Sequence, residues 1–447
     1  MKASKLLIAV AITGIMSIAA PEFALGQDAG TQGGAAAGQA SGKQRNWKDR
    51  TEYDLYVSIT KETDPNKRLQ LLQQWQDKYP TSDFKDSLRD PLFMQTYAQL
   101  NQPQQTIDKA KEILANDPTN FQALYFTTIM ATQITPPTPD LLDQAEKAAN
   151  GLIGAIPTQF AADKKPPQVK PEDWQKAQTD TDALAHTTLG WVAMNRKDYA
   201  KAEQEFTKSL QENPQAGQVS YWLGTVVLAE KDPKKQSAAL YDFARAAAYD
   251  GQGSLNAAGR TQVQQYLTKA YTDYHGSTDG LPALLQMAKT SALPAADWPG
   301  IPSTADIEQQ KAQQAAQFAQ QHPELALWNS IKQALTAPDG ETYFTQHMKD
   351  TQTPSFPATL ISEEPAVHPK TLIVSIADGK TPDATIHLTT PLPGKAEPGT
   401  KIQFQGIPES YTATPFMVTF KSEKADIKDW PGKEAPVHHT VHHHPAS

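Results

Sequence analysis

The feature that most constrains the fold is a set of small, apolar and turn-forming residues that occurs twice at the same spacing. The first copy consists of Leu189-Gly190, Ala193, Ala202, Phe206, Ser209 and Pro214. The second copy consists of Leu223-Gly224, Ala239, Phe243 and Ala246, with a small insertion at 231–234. A fixed period of this kind predicts stacked repeats, because a single repeat cannot bury its own apolar face.

These residues resemble the consensus of the tetratricopeptide repeat (TPR), a helix–turn–helix unit of about 34 residues that stacks on copies of itself. The resemblance implies that Gly190 lets the two helices approach closely and that Ala202 is received at that contact. It also implies that Phe206 fills the space between helices and that Pro214 ends the second helix. We therefore expect a protein that holds another molecule in a concave surface.

Weaker copies precede and follow the two good ones. Residues in phase with the repeat are Leu55, Tyr56, Ile59, Leu72, Trp75 and Pro80; Met94, Tyr97, Ala110, Ile113 and Pro118; Leu124, Tyr125, Thr128, Ala131, Ala145, Ala149, Leu152 and Pro157; and Tyr266, Leu267, Ala270, Tyr274, Leu285 and Ala288. The expected fold class is therefore mainly α, with a TPR-type α-solenoid of about five to six helix pairs over residues 47–295.

The first 26 residues have the composition of a secretory signal peptide. Lys2 and Lys5 precede an apolar stretch at 6–20, which is shorter than the ~20 residues that span a bilayer. Residues 27–46 are rich in Gly, Ala, Gln and Ser, and we expect them to form a disordered linker. The protein is expected to be exported, with the periplasm favoured and secretion or an uncleaved N-terminal anchor left open.

The pattern changes in the C-terminal part of the chain. Residues 296–353 contain further helical stretches, which we expect to form a connector or a cap over the last apolar face of the array. From 354 to 430, short runs of alternating apolar and polar residues are separated by turn residues, which predicts strands. This segment is expected to form a small antiparallel β domain that vaguely resembles an OB-type barrel. Residues 431–447 are expected to form a disordered, histidine-rich tail.

Composition and motifs argue against two functional classes. The net charge is −8, and in residues 354–430 Asp and Glu outnumber Lys while Arg is absent, which disfavours binding to nucleic acid. Ser58 and Lys61 have the spacing of the Ser-x-x-Lys motif of penicillin-binding enzymes, but the companion motifs are missing. His186 lies at a first-helix position where a packed, hydrogen-bonded histidine is the ordinary role. We therefore expect no enzyme activity in the array and no cofactor.

In TPR proteins the concave face is lined by the first helix of each pair. The resemblance therefore implies which residues of this chain would line that face. The candidates for contact with a partner are Gln95, Gln99, Gln122, Tyr125, Ile129, Thr187, Trp191, Asn195, Tyr221 and Thr225. Aromatic rings and amides indicate a neutral groove for an extended peptide or a helix. For Trp191 and Tyr221, packing between repeats is the alternative role.

The leading hypothesis is an exported scaffold that binds a protein or peptide partner in the cell envelope. The β domain would supply a second contact surface, and no transmembrane segment is expected beyond the signal peptide. One alternative is metal binding or a role in envelope stress, carried by the tail, because imidazole nitrogens bind Zn, Cu and Ni. The ligands would be His438, His439, His442, His443 and His444. A second alternative is an enzyme in the β domain.

Overall fold

The computed structural model describes residues 45–433, and the chain divides into two compact units, residues 1–304 and 305–447. The expected signal peptide, most of the expected linker and the histidines of the tail lie outside the described residues. Within residues 45–433, no helix combines the length and the apolar character needed to cross a membrane.

Helices make up the described part of the first unit. They are α1 (Arg50–Lys61), α2 (Pro65–Lys78), α3 (Asp90–Gln99), α4 (Pro103–Asn116), α5 (Phe121–Ala131), α6 (Pro139–Gln159), α7 (Pro171–Asn195), α8 (Tyr199–Glu212), α9 (Gly217–Ala229), α10 (Gln236–Ala248), α11 (Ala257–His275) and α12 (Leu281–Thr290). Asp64, Asn120 and Asp198 accept hydrogen bonds from backbone N–H groups in the first turns of α2, α5 and α8. These caps satisfy donors that the start of a helix leaves unpaired.

The first ten helices form five consecutive pairs, from α1 with α2 to α9 with α10. The second helix of each pair also contacts the first helix of the next pair. In addition, the first helices α3, α5, α7 and α9 contact one another in order. This packing of each pair on its neighbours is that of a TPR-type solenoid, and it confirms the expected mainly α fold class.

The pair α7–α8 shows why the repeat requires a small residue. A Cβ atom added at Gly190 would lie 2.5 Å from Cδ1 of Phe206, whose side chain is fully buried. Next to this contact, Oγ1 of Thr187 lies 2.7 Å from Oγ of Ser209. The structure thus confirms the close approach at Gly190 and the space-filling role of Phe206.

The last two helices of the array depart from simple pairing, because α11 and α12 both pack against α10. Arg245 of α10 is buried, and its Nη1 donates hydrogen bonds to the carbonyl oxygens of Ala288 (3.0 Å) and Lys289 (2.6 Å). Its Nη2 donates to the carbonyl oxygen of Pro214 at 2.6 Å. The last carbonyls of a helix lack partners within the helix, so this guanidinium both caps α12 and fixes it to the array.

The second unit combines helices with a seven-stranded sheet. The helices are α13 (Thr304–Gln321, which begins at the unit boundary), α14 (Pro323–Thr336) and α15 (Gly340–Tyr343), and the strands are β1 (Phe356–Glu364), β2 (Thr371–Ser375), β3 (Ala384–Leu388), β4 (Lys401–Phe404), β5 (Ile407–Ala413), β6 (Phe416–Ser422) and β7 (Ile427–Lys428). The strand order is β5-β6-β3-β2-β1-β4-β7. Trp328, Ile331 and Leu335 of α14 share one apolar core with the strands.

Two features of the sheet correct the expectation of an antiparallel, OB-like barrel. β3 and β6 pair in parallel, with Ile386 opposite Phe420, whereas the other pairs are antiparallel. The sheet is open, with β5 and β7 at its edges, so the barrel prediction is wrong. Alternating apolar residues identify strands, but long-range packing decides which strands become neighbours.

Packing divides the segment 296–353, which the sequence assigned to a connector or cap. Trp298 packs edge-on against Tyr241 of α10 at 5.1 Å between ring centroids, so the start of this segment belongs to the helical array. Trp328 instead lies in the core of the sheet unit, where its Nε1 donates to the carboxylate of Asp383 at 3.0 Å. Helix α14 is therefore part of the sheet unit.

We predict that Gly190→Ala destabilises the protein by roughly 1–3 kcal/mol, because the new methyl group overlaps Phe206 and forces α7 away from α8. Gly154 of α6 provides the matched control, since a Cβ atom there meets no atom within 4 Å. Gly154→Ala should stabilise the protein by about 0.5–1 kcal/mol through helix propensity. Urea unfolding followed by circular dichroism measures both, and equal effects would contradict the account of the helix contact.

Candidate binding surface on the first helices

The ten candidates for partner contact all lie on the first helices α3, α5, α7 and α9, and the structure separates them by exposure. The exposed side chains are Gln99, Asn195 and Thr225. The partly buried side chains are Gln95, Gln122, Tyr125, Ile129, Thr187 and Tyr221. Trp191 alone among the ten is buried, so it cannot contact a partner in this conformation.

Two of the amide side chains connect neighbouring first helices. Nε2 of Gln95 on α3 donates to Oε1 of Gln122 on α5 at 3.3 Å. Near the end of α3, Arg68 donates through Nη1 to Oε1 of Gln99 at 2.8 Å. A primary amide has two N–H donors and a carbonyl acceptor, so these side chains retain capacity to bond a peptide backbone.

Trp191 packs between repeats, which is the alternative that the sequence left open. Its side chain is 4% exposed and belongs to the main core of the array. Asn195, one turn later, is exposed, and its Nδ2 donates to the carbonyl oxygen of Trp191 at 2.8 Å. The sequence could not separate the two roles, because both favour a large aromatic residue at this repeat position.

Tyr125 and Ile129 on α5 mainly support the helix packing. Tyr125 stacks on Phe121 and meets Phe126 edge-on, with ring centroids 6.5 Å and 5.8 Å apart. Burial raises the pKa of the Tyr125 phenol above its ordinary value. Ile129 packs against the main core of the array. Both residues therefore contribute less free surface than their repeat positions suggested.

A more exposed aromatic surface lies on α9 and α11. We call it the tyrosine patch, and it consists of Tyr221, Thr225 and Leu228 of α9 together with Tyr266 of α11. Tyr221 and Tyr266 both approach the buried ring of Phe243 edge-on, at 5.9 Å and 5.0 Å between ring centroids. Thr225 and Leu228 follow Tyr221 by one and two turns and share its helix face. Tyr266 and Leu228 are 42% and 39% exposed.

The patch has a closely packed base, and its four side chains carry no formal charge. A Cβ atom added at Gly224 would lie 3.1 Å from the carbonyl oxygen of Ala239 and 3.3 Å from Cδ1 of Phe243, so α9 and α10 are in close contact beneath the patch. Burial, with a smaller contribution from Tyr221, raises the pKa of the Tyr266 phenol above its ordinary value. The phenol is therefore neutral at physiological pH and can donate and accept hydrogen bonds.

Tyr266 was not among the candidates for partner contact that were derived from the repeat positions. It was recognised as part of an eroded sixth repeat, in which the spacing no longer indicates which residues face a partner. The structure places it beside Tyr221 because α11 packs directly against α10. The sequence showed only that an aromatic residue is present at 266, and the repeat pattern did not indicate which way it faces.

The remaining candidate sites are the histidine-rich tail and the β domain. The five tail histidines, His438 to His444, lie outside the described residues, so metal binding by the tail stays a prediction. In the sheet unit, the buried carboxylate of Asp383 accepts hydrogen bonds from Trp328 and from the backbone N–H groups of Ile376 (2.7 Å) and Ala377 (3.1 Å). This carboxylate therefore has a structural role in joining α14 to the sheet.

No family model and no curated protein matches this chain. Among solved structures, MamA from Desulfovibrio magneticus RS-1 is similar at 14% identity and a TM-score of 0.31, over 48% of this chain and 95% of that chain. A thermophilic TPR protein of Thermus thermophilus is similar at 14% identity and a TM-score of 0.26, over 49% and 97% of the two chains. PilF of Pseudomonas aeruginosa is similar at 15% identity and a TM-score of 0.31, over 59% and 96%. Values this low show no shared function, and the assignment of the TPR-type fold rests on the helix packing.

We predict that Trp191→Ala costs about 3–5 kcal/mol of stability, because it leaves a cavity in the core between repeats. Tyr221→Ala should cost clearly less, since part of that ring is already in solvent. Denaturant unfolding of the two variants, with helix content checked by circular dichroism, measures the difference. Equal losses of stability would place Tyr221 in the core and remove it from the tyrosine patch.

Proposed function

We propose that this protein is a non-enzymatic scaffold that binds a protein or peptide partner on the first helices of its array, with the tyrosine patch as the principal contact. The patch is the observation that carries the proposal. Its rings rest on Phe243, while Tyr266 and Leu228 are 42% and 39% exposed. The array therefore presents a formed apolar surface that is partly accessible to a partner.

Tyrosine side chains suit this role for a physical reason. Each ring buries a large area on binding while losing little conformational freedom, and its hydroxyl stays available for a hydrogen bond. Here the two rings are already held by Phe243, so little further ordering is required when a partner binds. Contacts of this type account for much of the affinity of protein interfaces.

Amide groups elsewhere on the first helices fit the same kind of partner. Gln95 and Gln122 form one hydrogen bond with each other and retain unused donor and acceptor capacity. An extended segment or a helix presents backbone groups and apolar side chains in regular alternation, which matches a surface of amides and rings. The sheet unit would provide a second contact surface.

We also propose that the protein acts in the cell envelope, most directly in the periplasm. Support comes from the sequence of the first 26 residues, where Lys2 and Lys5 precede an apolar stretch. Cell fractionation tests this: a processed form of the protein is expected in the periplasmic fraction, and a full-length form confined to the cytoplasm would overturn it.

Photo-crosslinking in native cells tests the binding surface. We expect a benzophenone amino acid at Tyr221 or at Tyr266 to give the same covalent adduct with one protein. The control is Tyr53 on α1, which is 39% exposed and lies outside the patch, and it should not give that adduct.

The captured protein, once purified, allows a quantitative test. Tyr221→Ala combined with Tyr266→Ala should weaken its binding by at least about tenfold while leaving helix content unchanged. Tyr53→Ala should leave the affinity unchanged. Unaltered binding by the double variant, or adducts with unrelated proteins at the two patch positions, would contradict the proposal.

A further inference from the structure

A cluster of ionisable side chains joins α7 to α8 beside the close helix contact. Asp182 and His186 are one turn apart on α7, while Glu205 and Glu212 are two turns apart on α8. The ligand atoms of Asp182, His186 and Glu212 all lie within 4.8 Å of one another. The side chain of His186 is 13% exposed and that of Glu205 is 12% exposed. Three carboxyl groups therefore surround one imidazole in a half-buried space.

The hydrogen bond of His186 determines which ring nitrogen carries the proton. Nδ1 of His186 lies 2.6 Å from Oε2 of Glu205. An ionised carboxylate can only accept, so Nδ1 carries the proton and donates it to this bond. In the neutral ring, Nε2 then presents a lone pair, and it faces Oδ1 of Asp182 at 3.9 Å. This arrangement of a ligand imidazole with a carboxylate on its far nitrogen is the one that metal-binding histidines use.

The carboxyl group of Glu212 is incompletely hydrogen-bonded within the protein. Oε2 of Glu212 is buried without a hydrogen-bond partner. Lys208 lies 3.8 Å from Glu205 and one turn before Glu212 on α8, so its charge acts on both carboxyl groups of this helix. The 3.9 Å between Nε2 of His186 and Oδ1 of Asp182 is too long for a hydrogen bond, so a proton on Nε2 would leave the carboxyl groups of Asp182 and Glu212 without one from the imidazole. A cation bound between Asp182, His186 and Glu212 would interact favourably with all three side chains.

We propose that Asp182, His186 and Glu212 bind a divalent transition-metal ion, best matched by Zn²⁺, with Glu205 as the carboxylate that orients the imidazole. One nitrogen and two carboxylate oxygens form a donor set that Zn²⁺ accepts at about 2.0–2.2 Å. In a tetrahedral site with those bond lengths the ligand atoms are about 3.3–3.6 Å apart, so the three side chains, whose ligand atoms lie within 4.8 Å of one another here, would move closer together around the ion. The ion would link the two helices of this repeat.

The test uses the full-length protein with the tail histidines replaced, because the tail could bind the same ion. The replaced residues are His438, His439, His442, His443 and His444, each changed to alanine. Titration calorimetry with zinc chloride should give one ion per chain, and the midpoint of thermal unfolding should rise with zinc. Absence of both effects would overturn the proposal and leave a proton shared by Asp182 and Glu212 as the explanation of the cluster.

Variants in the same background locate the site. His186→Ala and Glu212→Gln should abolish binding, and Glu205→Gln should weaken it by about 10–100-fold with the ligands intact. Asp180→Asn is the matched control, because Asp180 lies on α7 but pairs with Lys176 instead of joining the cluster. Circular dichroism without metal verifies folding, and Co²⁺ absorption reports nitrogen and oxygen ligation directly. Zinc binding that survives both His186→Ala and Glu212→Gln would overturn the assignment.

Discussion

The helix pairs α7–α8 and α9–α10 depend on one shared contact, in which a glycine of the first helix meets a phenylalanine of the second. It occurs between Gly190 and Phe206 and again between Gly224 and Phe243. Both phenylalanine side chains are buried, and each contacts aromatic rings of a neighbouring helix. Since a Cβ atom at either glycine would crowd its phenylalanine, the contact fixes the distance between paired helices.

Two surface features follow from that distance. In α9–α10 the close approach holds Phe243 beneath Tyr221 and Tyr266, which gives the tyrosine patch a firm base. In α7–α8 the same approach brings His186 within hydrogen-bonding distance of Glu205. A wider helix pair would separate both sets of side chains. The repeat consensus thus concerns spacing, while residues outside the consensus determine what each pair can bind.

The helical array could be predicted from the sequence because the repeat pattern encodes contacts between residues that are close in the chain. The Leu-Gly dipeptides and the following Ala and Phe encode a contact within a single helix pair, so their spacing alone identifies the fold. Trp191 shows the limit, since its repeat position suits either a core or a surface aromatic residue and only its 4% exposure decides. Tyr266 could not be assigned, because its place depends on how α11 packs on α10 after the period is lost.

Features that combine distant residues were not accessible from the sequence. His186 and Glu205 are 19 residues apart, and no short motif links them with Glu212. In the sheet unit, the alternation of apolar residues indicated strands, but the parallel pairing of β3 with β6 and the position of α14 over the sheet arise from tertiary packing. Long-range pairing of this kind depends on the whole core and not on local preference.

The most direct test of the central claim is a crystal structure of the protein bound to its partner. The account predicts that the partner lies along the first helices and covers Tyr221 and Tyr266, with the Gly190–Phe206 contact unchanged. A partner bound on the second helices, with both tyrosines still in solvent, would contradict it.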